Sequence, residues 1–322
     1  MTEFNEYLNL FVILSIVAGS LSGCMSPLNA SGVQRVTPRG QTWSHVSGIS
    51  WSPDGIKMAL TWTAAKGTGL KEGLPEGYVY ILDVEKQEPV ILTLTKTNTG
   101  EVGSPAWSPK SDQVAFATNG SDWDPVGIWL VNADDTGVPV FLGKGASCAW
   151  SPDGERIAIA DSVRGYRIYI LDTCTGDKQE VFQSSEESQY IVAGEISWSP
   201  KGDKLAFTYD SVAFNIPHTS NFYELDLASG ESRQLVEGGV YFSPSWSPDG
   251  TMIAFSGGES AVEGTLFIMR VDDSSIVQPL DIDGVGSVAW SPDGNKIAFE
   301  WKGSVYTIDT AVALAEWSIT EE

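Results

Sequence analysis

Basic residues are scarce: 19 Lys and Arg stand against 42 Asp and Glu, a formal net charge of −23. A surface that grips a phosphate backbone needs the opposite sign, which excludes sequence-independent nucleic-acid binding. Anionic membrane surfaces repel such a chain for the same reason. Histidine is rarer still. His45 and His218 are the only two, far apart and without a neighbouring cysteine, so His-rich zinc sites are excluded and histidine-based catalysis has little to draw on. Three cysteines cannot make a disulfide framework. No apolar run reaches the roughly 18 residues of a membrane span. By contrast, 33 Gly, 12 Trp and 42% hydrophobic residues describe a turn-rich chain able to bury a core, pointing to an all-β protein.

A repeat organises the chain. Trp-Ser-Pro begins at Trp51, Trp107, Trp150, Trp198, Trp246 and Trp290. Four copies continue as Pro-Asp-Gly, while the copies at Pro109 and Pro200 read Pro-Lys-Ser and Pro-Lys-Gly. Each is followed by a short apolar stretch (KMAL, QVAF, RIAI, KLAF, MIAF, KIAF). After a segment of variable length comes a second one (YVYILD, IWLVNA, RIYILD, NFYELD, LFIMRV, SVYTID). Ser-Pro-Asp-Gly is tight-turn chemistry, since Pro fixes φ, Asp bonds back to the backbone and Gly accepts positive φ. It therefore predicts a hairpin between the strand ending in Trp and the KIAF-type strand. Two residues before each Trp stand Ile49, Pro105, Cys148, Ile196, Pro244 and Val288; one residue before stand only Ser or Ala. This period-two alternation makes one face bulky and the other small, both buried. Cys148 thus reads as a core residue. Asp83, Asp172, Asp226 and Asp309 recur at the same spacing, which predicts turn capping rather than catalysis.

Six units of 43 to 56 residues with four strands each predict a six-bladed β-propeller of four-stranded antiparallel blades over residues 33–322. WSPDG followed by KIAF and IYxLD resembles the WD-like repeat of the Tol biopolymer-transport protein TolB and of prolyl-oligopeptidase propellers. A sizeable α/β domain precedes the TolB propeller, whereas only 26 residues separate Cys24 from Trp51 here, and no G-x-S-x-G pentapeptide occurs, so neither a Tol–Pal role nor peptidase activity is expected to carry over. Two segments compete to close blade six, Val33–Thr37 and Glu316–Thr320. The first is favoured because it resembles the outer strand Arg233–Val236.

Residues 1–24 read as an export signal and 25–32 as a linker. Leu10–Gly19 is a signal-peptide core by length, and Leu21-Ser22-Gly23-Cys24 resembles a bacterial lipobox. That resemblance implies cleavage before Cys24 and acylation of its thiol; removing Glu3 and Glu6 leaves a charge of −21. The protein is then expected outside the cytoplasm, on the periplasmic side or cell surface, held to the membrane by lipid alone.

The connections leaving the KIAF strands vary strongly in length (Ala64–Glu76, Gly120–Val126, Ser211–Ser220, with Gln183–Gly194 between blades). This marks their face as the functional one. Two residues past the last apolar residue of KIAF, the blades carry Trp62, Thr118, Asp161, Tyr209, Gly257 and Trp301, and Trp123 lies in the blade-two insertion. Aromatics around a mouth suit sugar or peptide contacts. Glu195 occupies an inner-strand position that is Gly or Ser in the other blades, where it would accept an amine or a cation. The candidate binding set is therefore Trp62, Trp123, Asp161, Glu195, Tyr209 and Trp301, with no catalytic set, metal or cofactor. The function expected is a monomeric, non-enzymatic scaffold for a protein or polysaccharide partner. The alternative is a carbohydrate-active hydrolase or lyase using carboxylates at the channel mouth.

Overall fold

The computed structural model describes residues 32–38, 46–63, 77–86, 89–91, 101–119, 127–161, 165–184, 190–212, 219–258 and 264–315. The strands form six four-stranded antiparallel sheets, five of them consecutive meanders. Blade one is β2 (Val46–Trp51), β3 (Lys57–Thr63), β4 (Gly77–Asp83) and β5 (Pro89–Ile91). Blade two is β6 (Glu101–Trp107), β7 (Gln113–Asn119), β8 (Gly127–Asn132) and β9 (Val140–Gly143). Blade three is β10 (Ser147–Trp150), β11 (Arg156–Asp161), β12 (Arg167–Asp172) and β13 (Lys178–Gln183). Blade four is β14 (Tyr190–Trp198), β15 (Lys204–Val212), β16 (Thr219–Asp226) and β17 (Ser232–Val236). Blade five is β18 (Val240–Trp246), β19 (Met252–Gly258), β20 (Thr265–Arg270) and β21 (Ile276–Val277). Blade six is β22 (Val285–Trp290), β23 (Lys296–Trp301) and β24 (Ser304–Asp309), completed by the N-terminal β1 (Val33–Arg35). The pairing Val33↔Ile308, Gln34↔Thr307 and Arg35↔Tyr306 confirms N-terminal closure. A short helix, α1 (Thr310–Ala313), follows β24 ahead of the rival segment; Glu316–Thr320 itself lies outside the described residues.

The six hydrophobic clusters are the six blade interfaces. In the KIAF strand, residues alternate between a large and a small face. The large face of each blade packs on the alanine of the blade before it: Ile157 and Ile159 on Ala115 and Ala117, Leu205 and Phe207 on Ala158 and Ala160, Ile253 and Phe255 on Ala206. The ring completes with Ile297 and Phe299 on Ala254, Met58 and Leu60 on Ala298, and Val114 and Phe116 on Ala59. Every blade therefore depends on both neighbours for its core, as in other stacked-repeat architectures.

The Ser-Pro-Asp-Gly turns form as their chemistry requires. The Ser52 hydroxyl donates to Asp54 Oδ1 at 2.6 Å and accepts from the Lys57 amide, while Gly55 sits at φ 71°. The bond recurs at Ser247–Asp249 and Ser291–Asp293. The turns also lock between blades, because a Cβ on Gly202 or Gly250 would lie 3.3 or 3.1 Å from the proline of the preceding turn. Asp83, Asp172 and Asp226 each accept two backbone N–H groups across the third-strand turn, as expected for caps. Asp309 differs: it precedes α1 without a side-chain capping bond.

Inner strands of five blades carry a one-residue β-bulge, at Val46/Gly48, Gly103/Ala106, Ala193/Ile196, Phe242/Ser245 and Val285/Val288. A bulge frees a residue from the ladder and re-aims its side chain. That explains how Pro105 and Pro244 are accommodated in innermost strands, where a ladder amide would otherwise be lost.

Candidate functional site

The inner strands surround an axial cavity of about 400 Å³. Its lining runs from the level of the bulges (Gly48, Pro105, Glu195, Ser243, and Ser147 at the same level in the regular strand of blade three) past the tryptophans to the prolines of the Ser-Pro turns. Glu195 lies in the blade-four bulge, where Gly194 and Glu195 together face Thr208, and keeps partial contact with solvent. Its surroundings raise its pKa above the ordinary carboxylate value, mainly by desolvation, and a hydrogen bond with Ser243 opposes this. Ser243, held at φ 54°, also ties blade five to blade six, accepting from the Val288 amide at 2.9 Å. The equivalent Ser147 is 2% exposed and its hydroxyl has no hydrogen-bond partner among the described residues.

The rim position read from the internal alignment is one structural position: Trp62, Thr118, Tyr209, Gly257 and Trp301 pair with the inner strand just beyond its bulge. What the side chains do there differs. Trp62 and Trp301 are half-buried and stand on blades one and six, which adjoin. Trp62 meets Tyr80 edge-on at 5.7 Å and stacks on Tyr78 at 6.1 Å. Trp301 donates from Nε1 to the Asp283 carbonyl at 3.0 Å, meets Tyr306 edge-on, and carries the Lys302 ammonium 4.6 Å from its ring centre.

Tyr209 is a correction to the rim reading. It is 5% exposed and stacked between Tyr166 at 4.8 Å and Tyr223 at 5.7 Å, so it belongs to the core between blades three and four. Thr118 is likewise buried and donates to the Gly127 carbonyl. Asp161 is half-buried opposite Arg167 at the end of the β11–β12 ladder. Trp123 and most of the variable loops lie outside the described residues. In blade four, both ends of the segment read as loop, Ser211–Ser220, are ladder, since pairing continues to Tyr190↔Val212 and Ser211↔Thr219.

Glu300 went unrecognised in the sequence. It is 5% exposed on the small face of β23, at a position held by Thr61, Ala117, Ala160, Thr208 and Ser256 in the other blades. Its carboxylate accepts from the Gly303 amide at 2.5 Å, and burial pushes its pKa up to about 7 despite this bond and a second from the Gly286 amide. Gly286 leaves the room it needs, because a Cβ there would lie 2.3 Å from Oε2. The odd residue in an otherwise small column was the available signal. A second buried carboxylate, Glu224, is paired with Lys204 at 2.9 Å and Arg233 at 3.0 Å. No group of three or more His, Cys, Asp or Glu suited to a metal occurs among the described residues.

No family model matches the chain. Protein HIR1 of Cryptococcus neoformans var. neoformans is 27% identical over 249 residues, 70% of this chain; the chain spans about a quarter of that relative's length. Among solved structures, TolB from Agrobacterium tumefaciens aligns with TM-score 0.58 at 17% identity, covering 82% of this chain and 90% of that one. TolB from Acinetobacter baumannii aligns with TM-score 0.54 at 17% identity, covering 84% and 64%. Hydrazine synthase from Kuenenia stuttgartiensis aligns with TM-score 0.57 at 18% identity, covering 87% and 82%. These likenesses show a TolB-type six-bladed propeller fold, one that also occurs in a protein named as an enzyme, so function must be argued from the site.

Proposed function

We propose that the protein is an exported, lipid-anchored propeller that acts as a non-catalytic binding scaffold in the cell envelope, presenting its variable-loop face to a protein or polysaccharide partner. The observation that carries this reading is the pair Trp62 and Trp301. Two half-buried tryptophans at one register level on adjoining blades offer a rigid aromatic platform of the kind that anchors interfaces. Acidic composition favours a partner with a basic patch. The carbohydrate-active alternative needs two carboxyl groups across one glycosidic bond. Among the described residues only Glu195 supplies a carboxylate to the cavity; Glu300 lies behind Gly286 and is absent from the lining.

In-situ cross-linking in membranes, followed by affinity capture and mass spectrometry, tests the scaffold. Trp62→Ala with Trp301→Ala is expected to lose a partner that the wild type retains, at unchanged fold by circular dichroism. Equal recovery would exclude this platform as the binding face. The anchor is tested separately: Cys24→Ser is expected to move the protein from the membrane fraction to the soluble one, because acyl chains supply the hold. Retention in the membrane would sink the lipid assignment. No helix among the described residues is long and apolar enough to cross a membrane.

A further inference from the structure

We propose that the axial cavity binds a primary alkylammonium group, its –NH₃⁺ received by Glu195 and Ser147 and its alkyl stem lying along the shaft toward the Trp-Ser-Pro turns. This site is distinct from the tryptophan platform and takes a different ligand.

Charge comes first. Glu195 is the single charged side chain among the described residues that line the cavity; the remainder are Gly, Ala, Ser, Cys, Pro, Ile, Val and Trp. A carboxylate partly removed from water, with no cationic side chain among the described lining residues, is stabilised when a cation joins it. The built geometry comes second. The blade-four bulge takes Glu195 out of the ladder, and Ser147 holds the equivalent place on the adjoining blade. Among the described residues the Ser147 hydroxyl, nearly fully buried, has no hydrogen-bond partner, whereas its counterpart Ser243 is engaged with Glu195 and Val288. An ammonium carries three donors and no acceptor, which matches a carboxylate plus a spare hydroxyl.

Shape selects the rest of the ligand. A divalent metal asks for several oxygen ligands at once, and the cavity offers one carboxylate. Below Glu195 the shaft passes Ile49, Ile196, Val288 and the tryptophans, over ~10 Å for the three residues from Glu195 to Trp198. An unbranched stem with a cationic head fits this arrangement, whether it belongs to a free amine or to a lysine side chain on a partner.

Titration calorimetry of the full-length protein with n-pentylamine, pentan-1-ol and the tripeptide Gly-Lys-Gly tests the assignment. The amine is expected to bind and the isosteric alcohol to bind at least tenfold more weakly. Glu195→Gln, and independently Glu195→Ser, which installs the residue found at Ser147 and Ser243, are expected to weaken the amine at least tenfold while leaving the melting curve intact. Binding of Gly-Lys-Gly as well would point to a lysine side chain as the natural source; binding of pentylamine alone would point to a small amine. Absence of amine binding, equal affinity for amine and alcohol, or amine affinity unchanged in both Glu195 variants would each overturn the proposal.

Discussion

Phe207→Ala is expected to lower folding stability by about 3–5 kcal/mol, the range for removing a fully buried aromatic ring. Phe207 has no exposed surface and lies among Phe182 at 4.9 Å, Tyr166 at 5.6 Å and Tyr223 at 5.8 Å, joining blades three and four. The cavity it leaves cannot collapse easily, because Tyr166, next to β12, and Tyr209, in β15, are stacked against each other and held by different blades. Each blade relies on both neighbours, so the loss is felt around the ring rather than in blade four alone. Guanidinium unfolding followed by tryptophan fluorescence measures the change, with Ile56→Ala, at a residue 49% exposed, as a surface control expected within about 0.5 kcal/mol of wild type. A loss under about 1 kcal/mol for Phe207→Ala would mean that this aromatic interface is not formed in solution.

The second large effect depends on pH. Glu300 in the folded protein titrates near 7, against an ordinary value of 4.5, with desolvation as the leading cause. Below pH ~4.5 the group is protonated in both the folded and unfolded states, and burial costs nothing through ionisation. As pH rises from there toward 7 the unfolded state releases its proton first, so stability is lost progressively. Above pH 7 the loss is constant, about 3 kcal/mol at 1.36 kcal/mol per pH unit. Glu300→Gln removes the titration while keeping an acceptor for one of the two amides. It is expected to raise stability by roughly 2–3 kcal/mol at pH 8 and to give no such gain at pH 4.5. Denaturation at the two pH values decides: an equal shift at both would show that Glu300 does not titrate as a buried acid. The acid side of the profile has another origin. Asp54 and Asp293 are held below the usual carboxylate range, chiefly by the Ser52 and Ser291 hydroxyls, and Asp83 and Asp226 by backbone amides. Stability from these caps is present above their ordinary pKa near 3.8 and lost as pH falls below it, in the variant as in the wild type.

These caps were legible in the sequence because their chemistry is local. Ser52, Asp54 and Gly55 form one turn within four residues, and Asp83 reaches amides two and three positions ahead. Blade number, hairpin order and the large-small alternation of the KIAF strand were legible for the same reason: period two and turn chemistry need only the adjoining residues. The internal alignment also identified the rim position in five blades, because register follows from the turn. Its consequences were not legible. Tyr209 is buried because Tyr166, 43 positions earlier on the neighbouring blade, stacks on its ring. Glu195 stands outside the ladder because a bulge adds a residue to the inner strand, and Glu300 survives in the interior because Gly286 yields it space. By itself, then, the sequence determined the repeat, its strands and its turns, whose bonds close within a few residues. Only the tertiary structure decided which strand seals the ring, which rim aromatics remain accessible and which carboxyl groups lose water. Those outcomes depend on atoms that other strands place against them, within the same blade for Gly286 and Glu300 and across neighbouring blades for Tyr166 and Tyr209.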